Sequence, residues 1–67
     1  MPRFCCHCTV RMFDKGFMEA TTARPTVVVD ATDEEDASNV AESQLTKQYS
    51  HKLTRVNSVS VELIRKI

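Results

Sequence analysis

Four consecutive residues near the start of the chain have side chains that often bind metals or act as nucleophiles. They are Cys5, Cys6, His7 and Cys8. Structural zinc sites use ligand pairs separated by two to four residues, because a tight turn must direct both ligands at one ion. Consecutive residues of a strand point to opposite faces instead, so this run does not supply four ligands to one ion. Cys6 and Cys8 would need a distant ligand such as His51, brought in by a second chain or a major bend.

The three cysteines leave three roles open: small buried residues, metal ligands or redox-active thiols. Cysteines this close in sequence close no useful loop, and an odd number predicts free thiols in a reducing compartment. A Cys–His nucleophile would need a lowered thiol pKa and an oxyanion pocket, which a chain with one glycine has little scope to build. We therefore predict a non-enzymatic protein without a cofactor or metal, in which Cys6 and Cys8 are buried.

The composition predicts one small domain over residues 1–67. Nine basic and nine acidic residues give a formal net charge of zero, which argues against both a strongly cationic nucleic-acid binder and an acidic DNA mimic. No run approaches the roughly 18 apolar residues of a membrane span. The sequence thus predicts a soluble protein of the cytoplasm that binds no membrane.

An alternating pattern over residues 3–13 predicts a half-buried strand, with Phe4, Cys6, Cys8, Val10 and Met12 on one face. A hairpin is expected at Asp14–Gly16, with a positive φ at Gly16. The second extended stretch, 17–31, contains Pro25, and its apolar positions change parity there. A bulge or a break into two short strands on a sheet edge would reconcile its two halves.

A helix is predicted from about Asp33 to Tyr49, because Thr32 and Glu35 match the capping-box spacing and an apolar stripe follows. A final strand follows, bent around 56–57, with Leu53, Val59, Val61 and Leu63 on one face. The fold class is therefore α+β: a three- to four-stranded, mainly antiparallel sheet with one helix packed on one face, in the order β-β-α-β. The predicted core combines the apolar faces of the strands and of the helix, to which Phe4, Val29, Val40, Leu45 and Val61 belong.

The other sheet face should be open and polar, with Cys5, His7, Thr9, Arg11, Ser58, Ser60 and Glu62 on it. A protein that binds single strands stacks bases on exposed aromatic side chains, and the regular outward positions of the first strand provide none. Direct nucleic-acid binding is therefore not expected. A small nucleic-acid-binding module and a zinc- or thiol-linked homodimer stay as alternatives.

Acidic residues are concentrated at the start of the helix, in Asp33, Glu34, Glu35 and Asp36. Acidic side chains commonly stabilise a helix N-terminus. Residues 25–43 nevertheless contain six acidic residues and no basic one, more than a cap requires. We therefore predict that these four residues bind a basic groove on a protein partner.

The segment 26–37 (TVVVDATDEEDA), the following helix and Thr54-Arg55-Val56 resemble a small bacteriophage family, the T7-type inhibitors of bacterial RNA polymerase. The chain is similar, more loosely, to short anti-CRISPR proteins. The resemblance implies a three-stranded sheet with one helix and a phage-encoded inhibitor of a host protein complex. It also implies that Arg55 binds the polymerase, while Asn57 stands where the family has a second basic residue.

Overall fold

The computed structural model describes all 67 residues as a sheet covered on one face by a helix. The elements are β1 (Arg3–Asp14), β2 (Glu19–Ala23), β3 (Thr26–Asp30), α1 (Glu34–Tyr49) and β4 (Thr54–Lys66). β1 is central. It pairs with β2 and β3 along one edge and with β4 along the other, always antiparallel. This arrangement confirms the predicted α+β fold class.

β2 and β3 are two halves of one extended segment that pairs with β1 in a single register. Val10 lies opposite Ala23 and His7 opposite Thr26, with the same offset. The segment is interrupted at Pro25, which has no N–H to donate to β1, although its carbonyl accepts a 3.0 Å hydrogen bond from β1. The predicted break is confirmed. The register continues through the proline, however, so the break does not bring the apolar positions on its two sides to the same face.

The turn between β1 and β2 is held by the side chain of Asp14. Its Oδ1 accepts hydrogen bonds from the backbone N–H groups of Gly16 at 2.9 Å and Phe17 at 3.2 Å. The positive φ expected at Gly16 occurs instead at Met18, where φ is 53°. The Asp14 side chain fixes the first half of the turn, so the left-handed residue comes where the chain enters β2.

The hydrophobic core lies between α1 and β1. Its nine buried residues are Phe4, Cys6, Cys8, Val10, Val29, Ala31, Ala37, Ala41 and Leu45. The two small helix residues, Ala37 and Ala41, let the helix backbone approach the sheet, and Leu45 fills the space beyond them. Val40 and Val61, which we expected inside the core, are half-buried and pack against its border.

β4 contains two irregularities that bend it. Its register against β1 shifts at Asn57 and at Glu62, so each of these residues is an extra one in a bulge. The first confirms the predicted bend. The second reverses the alternation, so that Leu63 lies opposite His7 on the uncovered face and is 52% exposed, whereas we expected it beside Val61. Toward the helix, β4 directs the half-buried side chains of Val56, Val59, Val61 and Ile64.

The helix begins one residue later than predicted, at Glu34. Asp33 is its N-cap, and its Oδ1 accepts a 2.8 Å hydrogen bond from the backbone N–H of Asp36. Asp36 Oδ2 in turn accepts a 3.0 Å hydrogen bond from the N–H of Thr32. The capping pair is thus Asp33 and Asp36, and the pair predicted from Thr32 and Glu35 is wrong, because aspartate is the better N-cap.

Candidate binding surfaces

The Cys-Cys-His-Cys run is divided between the two faces of β1. Cys6 and Cys8 are 0% and 3% exposed in the core, and the Sγ of Cys8 donates a 3.7 Å hydrogen bond to the carbonyl of Cys6. Cys5 is half-buried and His7 exposed on the opposite face. No three His, Cys, Asp or Glu residues are placed to hold a metal ion, and His51 lies in the turn before β4. The structure therefore places Cys6 and Cys8 as core residues.

Burial suppresses ionisation of these two core thiols. It is the main cause that raises the pKa of Cys6, with a smaller contribution from Cys5. The pKa of Cys8 is raised first by burial and then by Cys6, Cys5, Glu42 and Glu62. Because the thiolate is the reactive form, both side chains are poor nucleophiles in the folded protein.

We expect alkylation to separate the three cysteines. At pH 8, iodoacetamide should modify Cys5 in the native chain and reach Cys6 and Cys8 only after unfolding.

The raised pKa values also mean that both core thiols stay protonated in the folded state and ionise more readily when unfolded. The contribution of these thiols to the free energy of unfolding should therefore be constant below about pH 8 and be lost as the pH rises past the ordinary thiol pKa of about 8.5. Urea titrations from pH 7 to pH 10 measure this change in the free energy of unfolding. Peptide mass spectrometry measures the alkylation of each cysteine, and equal labelling rates would contradict the expected difference between them.

The four predicted acidic residues have two different roles. Asp33 and Asp36 are engaged in the cap of α1. Glu34 and Glu35 are exposed and form neither a hydrogen bond nor an ion pair with another side chain. We call these two the helix-start carboxylates. They are the part of the acidic cluster that is free to contact a partner.

Arg55 lies far from the helix-start carboxylates. It is opposite Phe13 on the face away from α1, and its Nε donates a 3.3 Å hydrogen bond to Oδ1 of Asn57, the first bulge residue. The start of the helix lies at the same end of the sheet as Arg3. Phe13, the residue opposite Arg55, is ten residues further along β1, or about 33 Å in an extended strand. The structure therefore places the predicted binding residues on two separate surfaces.

The sheet face away from α1, which we call the open face, is covered by no other element. Its charged side chains are Arg3, Arg11, Arg55, Arg65 and Asp30, and His7 lies among them. These residues share a face because β1 alternates and because side chains directly opposite in antiparallel strands point the same way. Among the residues of this face that lie directly opposite β1, the only carboxylate is that of Asp30, which already pairs with Nε of Arg3 at 3.2 Å. The open face is therefore strongly cationic.

Several residues of the open face were missed or misplaced by sequence reasoning. Phe13 is half-buried there and continues the alternation of Arg11, so the expectation of no aromatic on the outward positions is wrong. Extending the pattern by one step would have found it. Glu62, expected on this face, is the second bulge residue and lies directly opposite no residue of β1. Other residues not expected on this face include Val28, Leu63, Arg55 and Arg65.

No protein-family model, curated protein or solved structure matches this chain. No helix of the structure combines the length and the apolar character needed to cross a membrane. The surfaces described above, together with the motif resemblance, are therefore the basis for a functional proposal.

Proposed function

We propose that this chain is a non-enzymatic, phage-encoded inhibitor that binds a host nucleic-acid-processing complex and blocks it by occupying its surface. The observation that supports this most is the distribution of charge. Nine basic and nine acidic residues form a single ion pair, Arg3–Asp30, and three further carboxylates are engaged in the turn and the helix cap, so most charges remain available to a partner. Opposite charges are also separated in space, on the open face and at the start of α1.

The shape of the molecule suits binding at two points. It measures 40 × 17 × 14 Å, and the helix-start carboxylates and Arg55 lie toward opposite ends of its long axis. A partner with a basic groove at one end and an acidic patch at the other would orient the chain before contact, since complementary potentials steer association.

RNA polymerase is the first candidate for the target. The motif Thr54-Arg55-Val56 that resembles the polymerase inhibitors forms the start of β4, where Arg55 is exposed and its two neighbours are half-buried. Asn57 takes the place of the family's second basic residue and orients the Arg55 guanidinium through the 3.3 Å hydrogen bond. The alternative target is a CRISPR effector complex, on which the same surfaces would occlude a nucleic-acid-binding site.

In vitro transcription by purified bacterial RNA polymerase tests this proposal. We expect the chain to inhibit transcription saturably, and Arg55→Glu to weaken inhibition by at least tenfold because a close charge pair becomes a repulsive one. Lys52→Glu, an equal charge change in the exposed turn before β4, is the matched control and should change inhibition less than threefold.

Two other results are informative. Inhibition of DNA cleavage by a CRISPR effector, without inhibition of transcription, would support the inhibitor class and replace the target. Inhibition of neither activity would contradict the proposed function.

A further inference from the structure

We propose that the open face binds single-stranded nucleic acid directly, through phosphate contacts to its arginines and base stacking on Phe13. This inference goes beyond the proposed function, which requires only a protein partner. Direct binding was not expected from the sequence because the outward positions of the first strand were thought to lack an aromatic side chain. The position of Phe13 on the open face removes that reason.

The charges of the open face are complementary to a phosphate backbone. Arg3 and Arg65 lie toward one end, the latter opposite Cys5, while Arg11 and Arg55 lie toward the other. Arg3 and Arg11 are eight residues apart, or about 26 Å along an extended strand. Guanidinium groups match phosphate oxygens with two parallel hydrogen bonds. The arginines therefore form a cationic track along the sheet.

An aromatic side chain lies at one end of this track, beside two of its arginines. Phe13 is directly opposite Arg55 and two residues from Arg11. Phe17, in the turn that follows β1, is 80% exposed. Stacking of a base on an aromatic ring stabilises complexes with single strands and tolerates any base. An acidic peptide would gain from the arginines but has no bases to stack, so the phenylalanines favour nucleic acid.

The centre of the open face has small polar side chains that leave room for a strand to lie across it. Thr9 is opposite Ser60, and Arg11 is opposite Ser58 and Thr22, so hydroxyl groups flank the track. The only helix packs on the other side of the sheet, and nothing projects from the open face to enter a major groove. A surface with an aromatic ring and no projecting element suits unstacked bases, which favours a single strand over a duplex.

Fluorescence anisotropy of a labelled twelve-nucleotide oligothymidine with the full chain tests the inference. Arg11→Gln should raise Kd about tenfold, since it removes a charge-assisted hydrogen bond to phosphate. Phe13→Leu keeps an apolar side chain but removes the ring, and should raise Kd at least about fivefold. Lys47→Gln, an equal charge loss in the last turn of α1, should change Kd less than twofold. Circular dichroism checks that each variant is folded.

The dependence of Kd on salt and on the presence of bases distinguishes nucleic-acid binding from a general attraction of anions. Contacts to three phosphates predict a loss of affinity of about twentyfold between 50 and 200 mM salt. An abasic oligomer of equal length should bind at least fivefold more weakly than oligothymidine. No binding at 50 mM salt, or equal binding of the abasic oligomer and of polyglutamate, would overturn the inference and leave only an acidic protein as the partner of this face. Because no host protein is present, such a failure is distinct from failure of the proposed function.

Discussion

Leu45→Ala is expected to leave a large fraction of the molecules unfolded at room temperature. Leu45 is 0% exposed and is one of the largest fully buried side chains of a core that contains only nine residues. Replacing a buried leucine by alanine costs about 2–5 kcal/mol, from lost transfer free energy and from the cavity left behind. A domain of this size rarely obtains more than about 3–5 kcal/mol from its core. The cost is therefore comparable to the whole free energy of unfolding, which the substitution brings close to zero.

Urea titration followed by circular dichroism measures this effect. Gln44→Ala, at the neighbouring exposed position of α1, is the matched control and should change stability by less than about 0.5 kcal/mol. Leu45→Met conserves volume and should cost less than about 1.5 kcal/mol. An unfolding midpoint for Leu45→Ala equal to that of the unsubstituted chain would show that the helix is not held by this side chain.

Reversal of both helix-start carboxylates, Glu34→Lys with Glu35→Lys, should lower affinity for the host complex about a hundredfold or more at low salt. Two attractive contacts become repulsive, and close charge pairs across interfaces have coupling energies of about 1.5 kcal/mol and above. The fold should survive, since Asp33 and Asp36 still cap the helix. The two lysines lose about 0.3–1 kcal/mol each against the helix dipole.

Biolayer interferometry against purified RNA polymerase, the first candidate for the target, at 50 and 200 mM salt measures this loss of affinity. Glu34→Gln with Glu35→Gln avoids the dipole penalty and should produce an intermediate loss. Glu19→Lys, at the exposed start of β2, controls for the change in net charge and should bind like the unsubstituted chain. Unchanged affinity of the double lysine variant would remove the helix-start carboxylates from the mechanism.

The parts of the fold that local chemistry determines could be predicted from the sequence. β1 alternates strictly because one of its faces is buried, so its bounds and the burial of Cys6 and Cys8 followed directly. Pro25 marked the break between β2 and β3 because it lacks an N–H. The bounds of α1 agree to one residue, since an acidic N-terminus and an apolar stripe both mark it.

The parts that depend on pairing between distant strands could not be predicted. The bulge at Glu62 exists only relative to β1, and it moved Leu63 to the open face. The same pairing brings Arg55 beside Phe13 and Arg65 beside Cys5, positions separated by more than forty residues in sequence. The acidic residues at the helix start and some residues of the open face could therefore be named from the sequence, but not how the residues of each surface are arranged. The cationic open face became visible only with the register of β4.

Affinity capture from a nuclease-treated bacterial lysate, followed by mass spectrometry, is the most direct test of the central claim that this chain binds a host protein complex. The unsubstituted chain and the double lysine variant at Glu34 and Glu35 serve as parallel baits. We predict that the subunits of RNA polymerase, or of a CRISPR effector, are retained in stoichiometric amounts by the first bait and lost from the second. The same proteins on both baits, or none on either in several hosts, would contradict the claim.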